Sequence, residues 1–284
     1  MALVRVNDLL KHATENKYGV AAINVFNYES ILWVAKAAEK ERVPIIIQLY
    51  PGFDFHISPE YISHIAKDLA KKSYVPIAVH LDHSRTAEVA ISGIRDGFPS
   101  VMVDGSALPF EENVALTLEV VKTARVFGVD VEAELGHVGS GAKLDDIVNS
   151  EHYTKVEDVV KFVELTGCDS LAIAVGNAHG AYIQTPSLDF DRIAAIREAV
   201  SIPLVMHGGS DIPDEQIQRA VNLGMSKFNI ATEYDRAYYN LSKEIYAEGL
   251  PRTSGFGAIR AIEEKMIDFI CGKIKLLNPN GFSI

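Results

Sequence analysis

IAVHLDHS, residues Ile77 to Ser84, begins as an apolar run and ends in two imidazoles around a carboxylate. Its apolar residues are nearly consecutive rather than alternate, the pattern of a strand buried on both faces of a parallel sheet. Its last residues pose a different problem, because burying His80, Asp82 and His83 costs several kcal/mol unless they are paired or coordinated. Taken alone, the triplet reads as a hydrogen-bonded His–Asp cap. Its neighbours along the chain decide whether it is more.

Seven further runs share the character of this one. Three precede or adjoin it: GVAAINV (Gly19–Val25), PIIIQL (Pro44–Leu49) and, after it, SVMVDG (Ser100–Gly105). DVEAELG (Asp130–Gly136), SLAIAVG (Ser170–Gly176), PLVMHG (Pro203–Gly208) and KFNIAT (Lys227–Thr232) complete the set. Segments of helical period separate them, such as SILWVAKAAEKE and ENVALTLEVVKTARVFG. Eight β–α units in 284 residues predict a TIM (β/α)8 barrel in a single domain over 1–284. An open doubly wound sheet would carry a glycine-rich turn after its first strand, and INVFNYES has none. GFGAIRAIEEKMIDFICGKIKLL, after the eighth unit, reads as an extra C-terminal helix, and the first residues as an amphipathic one.

With 48% hydrophobic residues the chain can fill such a core, and its net charge of −11 argues against nucleic acid or an acidic membrane as partner. Phosphorylated metabolites remain compatible, since helix N-termini and local cations hold them. Cys168 and Cys271 are the only cysteines, so no disulfide framework is implied and a reducing cytoplasm is the expected setting. No stretch approaches the ~18 consecutive apolar residues of a membrane span, and the N-terminus lacks a signal-peptide core.

A barrel places its active site at the C-terminal ends of its strands. Those ends carry Asp82 and His83, Asp104, Glu132 and Glu134, His179 and His207. Each alone suits a structural role; their convergence on one rim points to a metal. His83, His179 and His207 form a three-nitrogen set with an open position, the pattern of a catalytic zinc. His80 lies deeper and is expected to pack or support. Glu134, not Glu132, should reach the rim, and His137 is assigned to the loop surface. His12, His56, His64 and His152 receive no role.

HGGSDIPDE after the seventh run and NIATEYD at the eighth form a second constellation. Gly208 and Gly209 permit close backbone approach, Ser210 adds a hydroxyl, and a helix start supplies free N–H groups, together the usual phosphate cradle of this fold. No lysine is placed to form a Schiff base: Lys227 is expected to precede its strand, and the others fall on helices or loops. Carbonyl activation therefore falls to the metal.

On HLDH (80–83), DGSALPFEENV (104–114), VEAELGHVG (131–139), GNAHGAY (176–182), PLVMHGGSDIPDE (203–215) and NIATE (229–233), the chain resembles the class II, zinc-dependent ketose-bisphosphate aldolases over nearly its whole length. The GSD and NIATE forms are closer to the tagatose-bisphosphate branch than to the fructose branch. The resemblance implies that His83, His179 and His207 bind Zn2+, with Asp104 and Glu134 around an alternative metal position. Asp82 would be the acid/base for the C4 hydroxyl. Gly180, Gly208 and Ser210 would line a pocket for a monovalent cation (Na+ or K+) and phosphate. Asn229 would contact the phosphorylated ketose, Ala231 and Thr232 its phosphate. A homodimer or homotetramer is expected.

Three positions depart from the family pattern. The loop reads Gly139-Ser140-Gly141-Ala142-Lys143 where Gly-Gly-x-Glu-Asp is common, so the acid that handles the enediolate proton is missing from its usual place; Asp145 and Asp146 are the candidate substitutes. Tyr50 replaces a small hydroxyl residue that touches substrate, and Asn177 stands where Thr is usual. Arg252 and Arg260 are candidate ligands of a second phosphate, or solvated helix charges. Tagatose- or fructose-1,6-bisphosphate is the first substrate expected. The rival readings are an aldolase for another phosphorylated keto sugar or keto-deoxy-gluconate phosphate, and a non-catalytic metal-binding accessory subunit.

Overall fold

A computed structural model describes residues 2–247 and 254–284. Eight parallel strands close into a barrel in chain order. They are β1 (Val20–Asn24), β2 (Ile45–Leu49), β3 (Ile77–Ser84), β4 (Ser100–Val103), β5 (Asp130–Leu135), β6 (Ser170–Ile173), β7 (Leu204–Met206) and β8 (Met225–Ile230). Each predicted run overlaps one of them, and only β8 starts ahead of its run, by two residues. The outer ring comprises α2 (Tyr28–Glu41), α3 (Pro59–Lys72), α4 (Ala87–Arg95), α5 (Phe110–Phe127), α7 (Val156–Thr166), α8 (Phe190–Ala199), α9 (Asp214–Asn222) and α10 (Thr232–Ala247). Three helices are additional: α1 (Val6–Asn16), α6 (Leu144–Val148) inside the long loop after β5, and the C-terminal α11 (Gly255–Leu277). Among the described residues no helix is long and apolar enough to cross a membrane.

Strand alternation sorts the side chains into two cores. Ile23, Ile45, Ile47, Val79 and Leu81 point outward and pack with the helix ring. Ala22, Ile46 and Ala78 align across β1, β2 and β3 on the inner face, where Leu9 and Leu10 of α1 meet them and plug the base. Burying each of those leucines contributes roughly 1.5–3 kcal/mol. The N-terminal segment is tied to the same end, Ile77 N–H donating to Ala2 O at 2.7 Å.

One layer higher the interior turns polar: Asn24, Gln48 and His80 align in the same way. Here the structure corrects one expectation. Lys227 does not precede its strand but is the third residue of β8, and it is fully buried. The apolar count began at Phe228, whereas the ladder with β1 already includes Val20 opposite Lys227. A lysine is accommodated inside because Glu132 neutralises it, its Nζ lying 2.9 Å from Glu132 Oε2.

Candidate active site

β3 solves a geometric problem before any chemistry begins. In a regular strand Asp82 and His83 would face opposite sides. Leu81 pairs with Val101 and Ser84 with Val103, so β3 spends one more residue than β4 over this stretch. His83 absorbs the bulge with a positive φ of 41°. That backbone is uncommon for a residue with a Cβ, and such strain clusters at functional sites. The result is that consecutive residues both reach the barrel mouth.

Three imidazoles meet there. His83 Nδ1 lies 3.1 Å from Asp104 Oδ2, and His179 Nδ1 lies 3.1 Å from the carbonyl of Val138. A carbonyl and an ionised carboxylate only accept, so both Nδ1 atoms donate. Burial opposes ionisation of Asp104, but hydrogen bonds from His83 and Ser106 outweigh it and hold the carboxyl well below its usual range. The two Nε2 atoms then face each other at 3.1 Å, which requires a proton or a cation between them. His207 repeats the pattern: Nε2 donates to Glu132 Oε1 at 2.8 Å, while Nδ1 lies 3.1 Å from Glu134 Oε2 without hydrogen-bond alignment.

The protonation states agree. Burial disfavours charge on His207, yet Glu132 and Glu134 outweigh it and push the imidazole up to about 10. His83 is also raised; burial opposes this, and Asp82 and Asp104 drive it. Burial brings His179 down to about 4. The site thus collects more acceptors than donors, which protons or one divalent ion can satisfy. One ligand atom each from His83, His179 and His207 lies within 4.8 Å of the others, and His83, Asp104 and Glu134 form an overlapping set. Three imidazole nitrogens oriented by carboxylates or a carbonyl suit zinc. His80 is supporting, as expected: it is fully buried, with Nδ1 2.8 Å from Ser100 Oγ.

Asp82 sits beside this cluster in a socket of amides. Asn24 Nδ2 donates to Oδ2 at 2.9 Å and Asn229 Nδ2 to Oδ1 at 3.0 Å, with Gln48 Nε2 at 3.4 Å from Oδ2. Burial would raise its pKa, but the charges of His83, His207 and Lys227 bring it down to about 2. The carboxylate is therefore ionised and able to take a proton. Asn24 and Gln48 escaped the sequence reading. Their signal was present, each being the single polar residue of an otherwise apolar run.

Across the mouth, the loops after β7 and β8 bring together the residues expected to cradle a phosphate. Gly208, Ser210, Asn229, Ala231 and Thr232 line a cavity of about 660 Å³ together with Asp82, His83, Asp104, His179 and Gly180. A Cβ at Gly208 would come 2.0 Å from Ala178 O, so only glycine fits where the loop after β7 meets the loop after β6. Tyr182 ties them further, its hydroxyl accepting from Ala178 N–H at 2.7 Å and donating to Gly208 O at 2.9 Å. Gly209 is buried beside Asn229 O, outside the cavity lining. Glu134 and His207 are buried and are not among the residues lining the cavity.

The departures separate into different roles. Tyr50 lines the cavity, with its ring edge-on to His83 at 6.4 Å between centroids. Asn177 is buried off the cavity; it accepts from Val175 N–H and donates to His207 O at 2.9 Å. Of the two arginines proposed for a second phosphate, Arg260 is exposed on α11 away from the cavity lining, and Arg252 falls outside the described residues. Arg85, unnoticed in the sequence, lines the cavity instead. His137, expected at the loop surface, is about half exposed and also lines it.

Comparison with known proteins gives one consistent answer. A family profile described as Fructose-bisphosphate aldolase class-II matches residues 4–281. The chain is 43% identical over 275 residues, 95% of each sequence, to the protein described as Uncharacterized protein YdjI of Escherichia coli (strain K12). Its fold superposes on the crystal structure of the YdjI aldolase from Escherichia coli K12 with a TM-score of 0.89 at 37% identity, covering 99% of this chain and 100% of that one. Fructose-bisphosphate aldolase from Campylobacter jejuni gives 0.82 at 26% identity, over 98% and 96%.

Proposed function

The chain belongs to the class-II fructose-bisphosphate aldolase family, and from that premise we propose that it cleaves a ketose phosphate into glycerone phosphate and an aldehyde. Tagatose- and fructose-1,6-bisphosphate are the first substrates to test, the aldehyde then being glyceraldehyde 3-phosphate. The observation that carries the reading is the meeting of His83, His179 and His207 beside an ionised, amide-held Asp82.

In this reading His83, His179 and His207 hold a zinc ion, with Asp104 and Glu134 as alternative ligands. When bound, such an ion supplies Lewis-acid stabilisation of the charge left on the ketone side as the C3–C4 bond breaks. Asp82 takes the C4 hydroxyl proton, while Asn24 and Asn229 keep its oxygens aimed. Gly180, Gly208 and Ser210, with the amides of Ala231 and Thr232, hold the phosphate, Gly209 being left out because it is buried off the cavity, and Asn229 contacts the ketose. A monovalent cation beside Gly180, a homo-oligomer and a cytoplasmic setting belong to the same proposal.

Tyr50 and Arg85 favour a second reading within the class. They are shared by the main cavity and a neighbouring one of about 480 Å³ that extends past β3. A phosphorylated keto sugar longer than a hexose would use that space. Retro-aldol activity on a panel of ketose phosphates, with and without chelator, tests both readings. Chelator-sensitive release of glycerone phosphate is the expected result. Stoichiometric zinc without turnover on any panel member would favour the accessory-subunit reading.

A further inference from the structure

Cleavage leaves a task that Asp82 does not perform. Once the C3–C4 bond breaks, its electron pair resides on the C2–C3 enediolate, and C3 needs a proton to become the hydroxymethyl carbon of glycerone phosphate. In the long loop after β5, the turn Gly139-Ser140-Gly141-Ala142-Lys143 itself carries no acid.

The loop is nonetheless built around a carboxylate. Residues Gly139 to Gly141 pair with the backbone of His179: His179 N–H donates to Gly139 O at 2.8 Å, and Gly141 N–H to His179 O at 2.7 Å. The chain then turns into α6, which brings Asp146 back over the same segment. Ser140 N–H donates to Asp146 Oδ2 at 2.8 Å. Gly139 makes the approach feasible, since a Cβ there would lie 2.3 Å from Asp146 Cγ. Asp146 thus becomes part of the cavity wall that includes Asp82, His83 and His179.

Other carboxylates are committed elsewhere. Asp104 accepts from His83 through Oδ2 and from Ser106 through Oδ1. Asp145, the other loop candidate, is 72% exposed, accepts from Asn149 Nδ2, and is not in the cavity lining. Among the described residues Asp146 Oδ1 makes no hydrogen bond, and the titratable group facing it is His137, with Nε2 at 3.6 Å.

On the aldolase reading above, we propose that Asp146 is the acid/base that exchanges the carbon-bound proton of glycerone phosphate. In cleavage, the enediolate pair at C3 forms a C–H bond with the proton of the Asp146 carboxyl, leaving carboxylate. Water at the cavity mouth restores that proton, and Asp82 passes the proton taken from the C4 hydroxyl back to water, so the balance closes. In condensation, the Asp146 carboxylate removes the same proton.

Deuterium exchange into glycerone phosphate in D2O, followed by proton NMR on the zinc-loaded enzyme without aldehyde, reads this step alone. Asp146→Asn should slow exchange by about 10²-fold or more, while zinc content and single-turnover aldehyde release from a ketose phosphate stay within a few-fold of wild type. Asp146→Glu should recover part of the exchange, and Asp145→Asn should leave it intact. Wild-type-like exchange in Asp146→Asn, or loss of aldehyde release in step with exchange, would overturn the assignment. Wild-type enzyme that neither exchanges nor cleaves would instead remove the aldolase reading, and this one with it.

Discussion

Lys227 Nζ lies 2.8 Å from Asn229 Oδ1 and 3.1 Å from Glu132 Oε1, so one buried ammonium orients both an amide holding Asp82 and the carboxylate holding His207. Removing it strands a fully buried carboxylate. Lys227→Met should therefore destabilise the protein by roughly 3–5 kcal/mol, read as a lower urea midpoint at unchanged slope. Adding Glu132→Leu should recover much of that loss, because the pair, not the charge alone, offsets the burial. An unchanged midpoint in the single variant would refute the buried-pair account.

The proposed roles make Asp82 separable from the metal. Asp82→Ala should retain zinc by elemental analysis yet lose cleavage by roughly 10²-fold or more. If zinc fell along with activity, Asp82 would be supporting the ligands rather than moving a proton.

The same proposal makes His207 inseparable from the metal, as a ligand. His207→Ala removes one of three nitrogens and leaves Glu132 and Glu134 facing an empty space, so zinc content should drop to near background. Full zinc content in that variant would show that the ligand set is wrong.

Metal uptake should release protons. His207 titrates at about 10 because Glu132 and Glu134 outweigh its burial, so the metal-free imidazole is protonated at neutral pH. A ligand nitrogen must be deprotonated, hence zinc displaces that proton. Apparent affinity should rise with pH toward about 10 and weaken as the solution is acidified. Calorimetric titration in two buffers of different ionisation heat measures the release; equal heats in both would contradict it.

The outcome for individual residues shows where sequence reading stops. His83, His179 and His207 were legible because each ends an apolar run, and a barrel gathers such ends on one rim. Lys227 was misplaced because a charged residue breaks the apolar pattern by which a strand is recognised, although its neutralising partner lies 95 positions away. Asp145 and Asp146 were indistinguishable, being adjacent carboxylates in one polar loop; only the turn of α6 sends one to the cavity and the other to solvent.

The sequence by itself determined the eight-unit barrel and the identity of the groups at its mouth, since near-continuous apolarity and the residue types at run ends are local properties. Tertiary structure decided which of those groups face one another. The bulge that aims His83, the commitment of Nδ1 in His83 and His179 and of Nε2 in His207, and the seating of Asp146 over Gly139 all depend on distances between strands and loops remote in the chain, and no local pattern encodes such distances.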